Sequence, residues 1–600
     1  MCGICGYIFT DPNRFQERFI HKMNETLSHR GNDGNGTFIQ CEAGFALGHT
    51  RLKILDLSER GKQPMCDNDE TIIITYNGEI YNFKEEREEL EKRGYRFRSQ
   101  TDTEVVLYAY KEYGKEKFIH RLNGDFAFAI WDKKERELVI FRDRVGIRPV
   151  YYTFQNGVFA FASEVKALLV LPHIKKEPNI EKFGEYMAHL YIYGHETLYK
   201  GIYELQPGES LVYKEGEMKI ETYFDFTFDP LIRNMPHKEQ EERFLELFDD
   251  SIVRRLNADV PVGIYLSGGI DSSLLIARLA RVPNVKMYTY TLGFEYGQYN
   301  EFQYSEFVAK KFKTNHTSFI IKEDDFFDVV SKVIYHYDEP VPNIVSVPQY
   351  YLAQQAKKHI TVSLAGSGGD ELFAGYTHYL AAQQMAQGSL DLNSISSEKA
   401  AYQRTLSHPM IACEFKSCSQ KYLVDNIILP INSPDNDYRQ NISKYFERSN
   451  FPDFISRMLY MDFKTHVIAM MNKDDKMNMA FGVEGRFPYF DYRLVQHALS
   501  MSPELKINNG VTKYLLKELC LDYFPREFVY REKQAFPTPV ELWFKSNPRL
   551  LEFPLLKKTL GNVFNFPFIE TLKEELTCGK SEHTRRLWGL FCLEKWLAQF

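Results

Sequence analysis

The sequence predicts two domains of different fold class: an α+β domain of layered β-sheets, followed by an α/β domain with a parallel sheet. The 600 residues are 44% hydrophobic and 26% charged, as in a globular chain too long for one compact core. Residues 1–215 hold short β-rich runs between Gly and Asn turns. Beyond them strands alternate with helices, which is the pattern of a parallel sheet.

In the first 215 residues, β-branched and aromatic residues are concentrated in short runs bounded by turn residues. These runs predict strands at 71–76, 127–131, 138–141 and 157–161. One stretch with helical spacing of apolar residues, at 84–94, interrupts them. The N-terminal half is therefore expected to be mainly β structure.

The boundary between the halves is predicted in a proline-containing segment. Residues 224–238 include Pro230 and Pro236 and show no sustained period, so we expect a linker there, followed by a helix at 239–256. The domains are accordingly placed at 2–215 and 235–600.

Strand–helix pairs follow the linker. A strand at 262–266 precedes a helix at 272–280, and a strand at 360–364 runs into a Gly-rich turn. Residues 385–455 are polar and predict no element. The chain shows no internal repeat.

Charge and composition exclude several classes of partner. Lys and Arg total 74 against 81 Asp and Glu, a net charge of −7, which argues against a nucleic-acid-binding surface. The N-terminus lacks a basic signal region and the chain has no apolar run of about 18 residues, so we expect a cytoplasmic protein without a membrane span. Nine scattered cysteines predict reduced thiols.

Cys2 is a candidate nucleophile because it follows only the initiator methionine. Removal of Met1 would leave a free α-amine beside the thiol, and such an amine can act as the base. On position alone, an inert cysteine is the commoner outcome. The spacing of Cys2 and Cys5 could also indicate a redox or metal site, but no second pair of cysteines completes it.

Three short motifs add polar groups that suit an amino-acid amide. Asn77 and Gly78 could stabilise an oxyanion, although an Asn-Gly pair taken alone more often forms a hairpin turn. Arg51 suits a carboxylate, and Asp102 suits an ammonium group. Separately, these two residues could be surface charges, or, for Asp102 after Thr101, part of a helix cap.

Five motifs in this order resemble the glutaminase domain of class II glutamine amidotransferases: MCGICG at 1–6, SHRG at 28–31, GHTRL at 48–52, YNGEIYN at 76–82 and TDTE at 101–104. The resemblance implies an N-terminal-nucleophile fold with αββα layers. It implies that Cys2 attacks the glutamine side chain and releases ammonia. In that family pattern Arg51, Asn77, Glu79 and Asp102 bind glutamine, and Asn77 and Gly78 form the oxyanion hole.

A Gly-rich loop follows the candidate strand at 262–266. The sequence SGGIDSS at 267–273 lets backbone N–H groups approach a phosphate at the start of a helix. A plain βα turn is the alternative. The loop matches neither the dinucleotide-binding nor the Walker A pattern.

The loop resembles the pyrophosphate loop of N-type ATP pyrophosphatases, and the chain from there onward resembles the synthetase domain of the asparagine synthetase family. Matching stretches are SLAGSGGDELFAGY at 363–376, YDEP at 337–340, DKMNMA at 475–480, GVEGRFP at 482–488 and REKQAF at 531–536. The resemblance implies that ATP is cleaved to leave AMP on a carboxylate, with Mg²⁺ bound by Asp271 and Asp370. It implies nucleotide contacts from Leu266, Ser267, Gly268, Gly269, Asp271, Ser272, Leu292, Gly366, Ser367 and Lys533, the last stabilising the leaving pyrophosphate.

One position departs from the family pattern. Asparagine synthetases commonly carry Glu, a candidate base for the ammonia step, where this chain has Ser367. Either no base from this loop is needed, or another residue serves, or the acceptor is not aspartate but another carboxylate such as a sugar uronic acid. The expected substrates are glutamine, ATP and aspartate or that other acid, and a homodimer is possible.

Two further readings remain. Amidophosphoribosyl transfer shares the Cys2 domain but needs a phosphoribosyl-pyrophosphate site in place of the loop at 267–273. A binding or regulatory protein on an inactive scaffold is the non-enzymatic alternative. The joint presence of Cys2, Arg51, Asp102, Asp271 and Asp370 with Lys533 argues against it.

Overall fold

The computed structural model describes residues 1–388, 426–429, 438–532, 538–580 and 583–600. Most of the polar segment at 385–455, and Lys533, therefore lie outside the described residues. No helix in the described part of the chain is long and apolar enough to cross a membrane.

The N-terminal half contains two six-stranded antiparallel sheets. Their strands are β1 (Gly3–Phe9), β2 (Gly34–Gln40), β3 (Phe45–Arg51), β4 (Met65–Cys66), β5 (Ile72–Ile80), β6 (Gly124–Asp132), β7 (Glu137–Arg142), β8 (Tyr151–Gln155), β9 (Val158–Ala162), β10 (Tyr203–Glu204), β11 (Glu209–Lys214) and β12 (Glu217–Thr222). The first sheet has the order β10-β8-β9-β1-β3-β2 and the second β12-β11-β7-β6-β5-β4.

The two sheets pack face to face. Ile4, Leu47, Ala129 and Phe161 are buried in the apolar layer between them. This arrangement places β1, which follows Cys2 directly, in the middle of the first sheet and β5 in the second.

Helices cover the outer faces of both sheets. They are α1 (Arg18–Thr26), α2 (Phe83–Lys92), α3 (Asp102–Tyr113), α4 (Phe118–Arg121), α5 (Val165–Leu168) and α6 (Phe183–His189). Phe19 of α1 and Val165 of α5 pack on the first sheet, and Leu90 and Val106 of α2 and α3 pack on the second. The predicted αββα layering is confirmed.

The predicted N-terminal elements correspond to β5, β6, β7, β9 and α2, with ends shifted by one to four residues. Asn77 and Gly78 do not form a turn: they pair with Ala127 and Phe126 inside β5, which runs on to Ile80. Strand pairing with β6 outweighs the local turn preference of the dipeptide.

The C-terminal half is built on a five-stranded parallel sheet of order β15-β14-β13-β16-β17. Its strands are β13 (Val262–Tyr265), β14 (Tyr288–Phe294), β15 (Asn315–Ile321), β16 (Val362–Ala365) and β17 (Glu484–Arg486), and a separate hairpin consists of β18 (Ile507–Asn508) and β19 (Val511–Thr512). The predicted parallel sheet is confirmed.

Helices surround this sheet. They are α7 (Pro230–Asn234), α8 (His237–Arg255), α9 (Ile270–Leu279), α10 (Phe302–Phe312), α11 (Glu323–Tyr337), α12 (Ser346–Ala356), α13 (Gly369–Leu372), α14 (Thr377–Ala386), α15 (Tyr438–Arg448), α16 (Phe454–Lys464), α17 (His466–Met479), α18 (Tyr492–Ser500), α19 (Tyr514–Leu521), α20 (Arg526–Val529), α21 (Val540–Ser546), α22 (Pro554–Leu560), α23 (Phe566–Thr577) and α24 (Thr584–Leu597).

The predicted linker is not wholly irregular. Its middle forms the short helix α7, in which the Asp229 side chain accepts a hydrogen bond from the Leu231 N–H and Pro230 occupies the first turn. Proline suits that position because its missing N–H would be unpaired there anyway. The domain boundaries at 215 and 235 stay predictions; the last strand of the second sheet ends at Thr222.

Candidate active site

The thiol of Cys2 lies at a small pocket between β1, β3, β5 and the start of α3. Arg51, Gly78, Glu79 and Asp102 line the same pocket. The structure thus brings together side chains that lie as much as 100 positions apart in the sequence.

Asn77 is directly beside the candidate nucleophile. The backbone N–H of Cys2 donates to Asn77 Oδ1 at 2.9 Å. The side-chain Nδ2 of Asn77 is buried and has no hydrogen-bond partner among the described residues. A buried amide donor without a partner is costly, and a developing oxyanion would satisfy it. At Gly78 a Cβ atom would lie 2.3 Å from the carbonyl oxygen of Asp125, so only glycine fits.

Arg51 and Asp102, the two charged side chains predicted to bind an amino acid, are held in place by different partners. The Arg51 guanidinium donates to the carbonyl oxygens of Asp56 at 2.6 Å and Ser58 at 2.7 Å, which fixes its plane. Asp102 Oδ2 accepts from the Tyr76 hydroxyl at 2.6 Å and from the Ile80 N–H at 2.8 Å. The cap of α3 is Thr101, whose side chain accepts from the Glu104 N–H.

Burial controls the protonation of this pocket. It raises the pKa of Asp102 to about 6, although the hydrogen bonds from Tyr76 and Ile80 lower it. Burial also raises the pKa of the Cys2 thiol, against the opposing effects of the N-terminal ammonium group and Arg51. A buried thiol of this kind needs a base before it can act as a nucleophile.

A strand of the parallel sheet closes the pocket. The α-ammonium group of Met1 contacts Glu484 Oε2 at 2.7 Å, and Glu484 Oε1 accepts from Arg486 Nε at 2.6 Å. Arg486 Nη2 reaches Glu79 Oε2 at 3.2 Å. Burial alone would raise the pKa of Glu484, but the ammonium group, Arg486 and Arg148 lower it to about 2.

The second predicted group of residues lies at the carboxyl ends of β13 and β16. Gly268 has a φ of +78°, and a Cβ atom there would lie 2.7 Å from the Ser305 nitrogen. Ser267 Oγ accepts from the Gly269 N–H at 3.2 Å and contacts Ser272 Oγ at 3.1 Å. The loop therefore has a defined shape at the N-terminus of α9.

The two Gly-rich loops are in direct contact. A Cβ atom at Gly366 would lie 2.8 Å from the Ser272 nitrogen, and one at Gly369 would lie 2.2 Å from Asp271 Oδ1. Lys513 Nζ bridges the predicted acidic pair, at 2.5 Å from Asp271 Oδ2 and 2.7 Å from Asp370 Oδ1. The expected proximity of the two aspartates is present.

Comparison with known proteins gives the family. Residues 243–598 match the family described as Asparagine synthase, and residues 1–224 match that of the glutamine amidotransferase domain. This chain belongs to the asparagine synthase family.

Members of the family resemble the chain over 64% to 99% of its length. It is 32% identical to "Asparagine synthetase [glutamine-hydrolyzing] 1" of Bacillus subtilis over 99% of this chain and 96% of that protein. It is 37% identical to a putative asparagine synthetase of Methanocaldococcus jannaschii over 64% of this chain and 77% of that protein. A third relative, asparagine synthetase 3 of Bacillus subtilis, is 29% identical over 90% of this chain and 87% of that protein.

Leu292 and Lys533 are also predicted to belong to the nucleotide site of this asparagine synthase family member, but only Leu292 lies among the described residues. Leu292 lies on β14, the strand whose Tyr290 carbonyl accepts a hydrogen bond from the Leu266 N–H at 2.9 Å. Lys533 lies outside the described residues. Arg531, two positions before it, donates to the Gly268 carbonyl at 2.6 Å and places its guanidinium 3.9 Å from the centre of the Tyr304 ring. Arg531 therefore contacts the Gly-rich loop.

Sequence reasoning missed Lys513 and Asp474. Lys513 precedes α19 with a φ of +53°, and no motif marked it. Asp474 Oδ2 accepts from Ser367 Oγ at 3.3 Å, although the two residues are 107 positions apart. Glu484 and Arg486 were part of a family motif, but that motif gave no sign that they reach the thiol pocket.

Proposed function

We propose that this chain is a glutamine-dependent asparagine synthetase, an ATP-dependent ligase that forms asparagine, glutamate, AMP and pyrophosphate. One structural observation carries the proposal. Glu484 on β17 contacts the N-terminus beside Cys2, while the adjacent strand β16 runs directly into the loop that holds Ser367 and Asp370. A nitrogen-releasing pocket and a nucleotide loop are thus supported by neighbouring strands of one sheet.

At the first pocket, glutamine binds with its α-carboxylate on Arg51 and its α-ammonium group on Asp102 and Glu79. The thiol of Cys2, deprotonated by the α-amine that removal of Met1 exposes, attacks the side-chain amide carbon. Asn77 Nδ2 and the Gly78 N–H stabilise the oxyanion. Ammonia leaves, and water hydrolyses the thioester to glutamate.

At the second site, ATP is expected to place its phosphates on the loop at 267–273. Gly268, Gly269 and Ser272 offer close backbone approach there, with the helix N-terminus favouring the negative charge. Leu266, Leu292 and Gly366 complete the nucleotide site of this proposal. Lys533 is expected to contact phosphate oxygens as pyrophosphate leaves.

Mg²⁺ fits the pair Asp271 and Asp370. Their oxygens share one cationic group, the Lys513 ammonium, so the position between them already accommodates positive charge. Two carboxylates together with phosphate oxygens form a donor set that Mg²⁺ prefers. When bound, the ion would neutralise phosphate charge. Lys513 itself is suited to contact the polyphosphate once the carboxylates bind the ion.

Contact between the halves suits the transfer of ammonia. Ammonia released into water at neutral pH is mostly ammonium, which is not a nucleophile. Arg30 donates to the Cys2 carbonyl oxygen at 3.1 Å and to Asp475 Oδ2 at 2.7 Å, so one side chain links Cys2 to α17 of the synthetase half. Delivery inside the protein is therefore part of the proposal.

The alternatives are less well supported. The three relatives described above are named asparagine synthetases, so a different acceptor such as a sugar uronic acid is not favoured. The loop at 267–273 does not suit phosphoribosyl transfer, and an inactive scaffold would not need the Cys2 pocket and both aspartates. A cytoplasmic location and a homodimer stay predictions.

ATP–pyrophosphate exchange tests the acceptor. We expect labelled pyrophosphate to enter ATP only when aspartate is supplied, from a panel that also contains glutamate, malate, succinate and a hexuronic acid. Exchange with the uronic acid and none with aspartate would contradict the proposal.

A further inference from the structure

A carboxylate of α17 reaches the loop that separates β16 from Asp370. Asp474 Oδ2 accepts the hydrogen bond of Ser367 Oγ at 3.3 Å, and its Oδ1 pairs with Lys473 Nζ at 2.9 Å. The Asp474 side chain is only 5% exposed. This buried carboxylate therefore has both a cationic and a hydroxyl partner.

Helix α17 also contacts the glutaminase half. Arg30 links the Cys2 carbonyl oxygen to Asp475, the residue next to Asp474. Arg148 also reaches Asp475, at 3.4 Å. Two adjacent residues of α17 therefore contact the loop of Ser367 and, through Arg30, the backbone at Cys2, so this helix links the two sites of the proposed function.

The chemistry at this place requires a proton acceptor. Attack by ammonia forms a C–N bond to the acyl carbon, and the nitrogen then carries a positive charge and one proton too many for an amide. That proton must be removed as the carbon–oxygen bond to AMP breaks. A serine hydroxyl cannot hold such a proton near neutral pH, whereas a carboxylate can.

Other carboxylates near the loop have other partners. Asp271 and Asp370 both contact Lys513, and they are the proposed ligands of the metal. Glu371 accepts a hydrogen bond from the Tyr376 hydroxyl and is almost fully buried. Asp474 is the acid that Ser367 contacts.

We propose that Asp474, oriented by Ser367, accepts the proton lost by ammonia as it attacks the aspartyl-adenylate. The proposal rests on the proposed function and deepens it. A chain with serine at position 367 would then still have a carboxylate for the amide-forming step, because Asp474 of α17 contacts that serine.

The variant Asp474→Asn separates this step from the others. We expect asparagine formation, from glutamine or from ammonium chloride, to fall by about 10²–10⁴-fold, which is the usual contribution of general acid–base catalysis. Glutaminase activity and aspartate-dependent ATP–pyrophosphate exchange should stay within about twofold of the wild type. Asp325→Asn, which makes the same charge change at an exposed position, should leave all three activities unchanged.

Rescue distinguishes a chemical role from a structural one. In the Asp474→Asn background, Ser367→Glu places a carboxylate on the opposite side of the same contact, and it should restore amide formation at least tenfold. Asp474→Glu alone should retain more activity than Asp474→Asn. Loss that neither substitution relieves would overturn the proposal, because it would show a structural defect.

Two other results would also overturn it. One is near-normal asparagine formation by Asp474→Asn. The other is a loss of ATP–pyrophosphate exchange as large as the loss of asparagine formation, which would assign Asp474 to the adenylation step. Failure of the proposed function has a different signature, since the wild-type protein itself would then show no aspartate-dependent exchange.

Discussion

The α-ammonium group of Met1 and the carboxylate of Glu484 form a buried ion pair at 2.7 Å across 483 positions of sequence. The pair joins the first residue of the glutaminase half to the edge strand of the parallel sheet. Because Met1 is almost completely buried, its removal would leave space between Cys2 and Glu484. The amine that the mechanism requires would then face a carboxylate of the synthetase half.

We therefore predict that active protein lacks Met1. Intact-mass measurement should show a chain shorter by one methionine, and blocking the exposed amine should abolish glutaminase activity. Full glutaminase activity in protein that quantitatively retains Met1 would contradict the free-amine mechanism, since the Cys2 nitrogen would then be a peptide N–H without basicity.

Replacing Cys2 by alanine should separate the two half-reactions. The loss of the nucleophile is expected to lower glutamine-dependent asparagine formation by at least 10³-fold, as for other covalent catalysts. Synthesis from ammonium chloride should persist, because the nucleotide loops remain intact. The matched variant Cys41→Ala, at an exposed free thiol, should retain both activities. Loss of ammonia-dependent synthesis in Cys2→Ala would contradict the prediction that the glutaminase and synthetase sites act independently.

Glutamine binding should weaken in acid. The pKa of Asp102 is raised to about 6 mainly by burial, so below pH 6 its carboxylate is protonated and no longer attracts the α-ammonium group. Calorimetry on Cys2→Ala protein, which binds without reacting, should show the affinity falling about tenfold per pH unit below 6.

The variant Asp102→Asn provides the control for that titration. It should bind glutamine weakly at every pH and lose the dependence near pH 6. Glu79 faces the same pocket, and burial raises its pKa as well. A titration that survives in Asp102→Asn would assign the effect to Glu79 instead.

Lys513→Met should disable the nucleotide site alone. Without the shared ammonium group, Asp271 and Asp370 repel each other and a phosphate contact is lost, so exchange of pyrophosphate should fall by at least 100-fold. Glutaminase activity should remain. The control Lys286→Met, at an exposed position, should exchange normally. Exchange at the wild-type rate in Lys513→Met would exclude the proposed role.

Sequence patterns predicted the β-rich first half and the parallel sheet because these depend on local periodicity, whereas the αββα layers were implied by the family resemblance. The grouping of Cys2, Arg51 and Asp102 followed from motifs whose order matches a family. Local reasoning failed at Asn77 and Gly78, where pairing with β6 extends the strand through a dipeptide that favours a turn.

Contacts between residues far apart in the sequence could not be predicted. Lys513, Asp474 and Glu484 reach their partners over 107 to 483 positions, and neither spacing nor composition marks such a pair. Each of these contacts depends on how distant parts of the chain pack together in the folded protein.

The most direct test of the proposed function traces the side-chain amide nitrogen of glutamine into asparagine. The protein is incubated with aspartate, ATP, Mg²⁺ and glutamine labelled with ¹⁵N in its side-chain amide, and the products are measured by mass spectrometry. The account predicts ¹⁵N in the side-chain amide of asparagine, with one AMP and one pyrophosphate formed for each asparagine. Formation of ADP instead of AMP, or asparagine without the label, would contradict it.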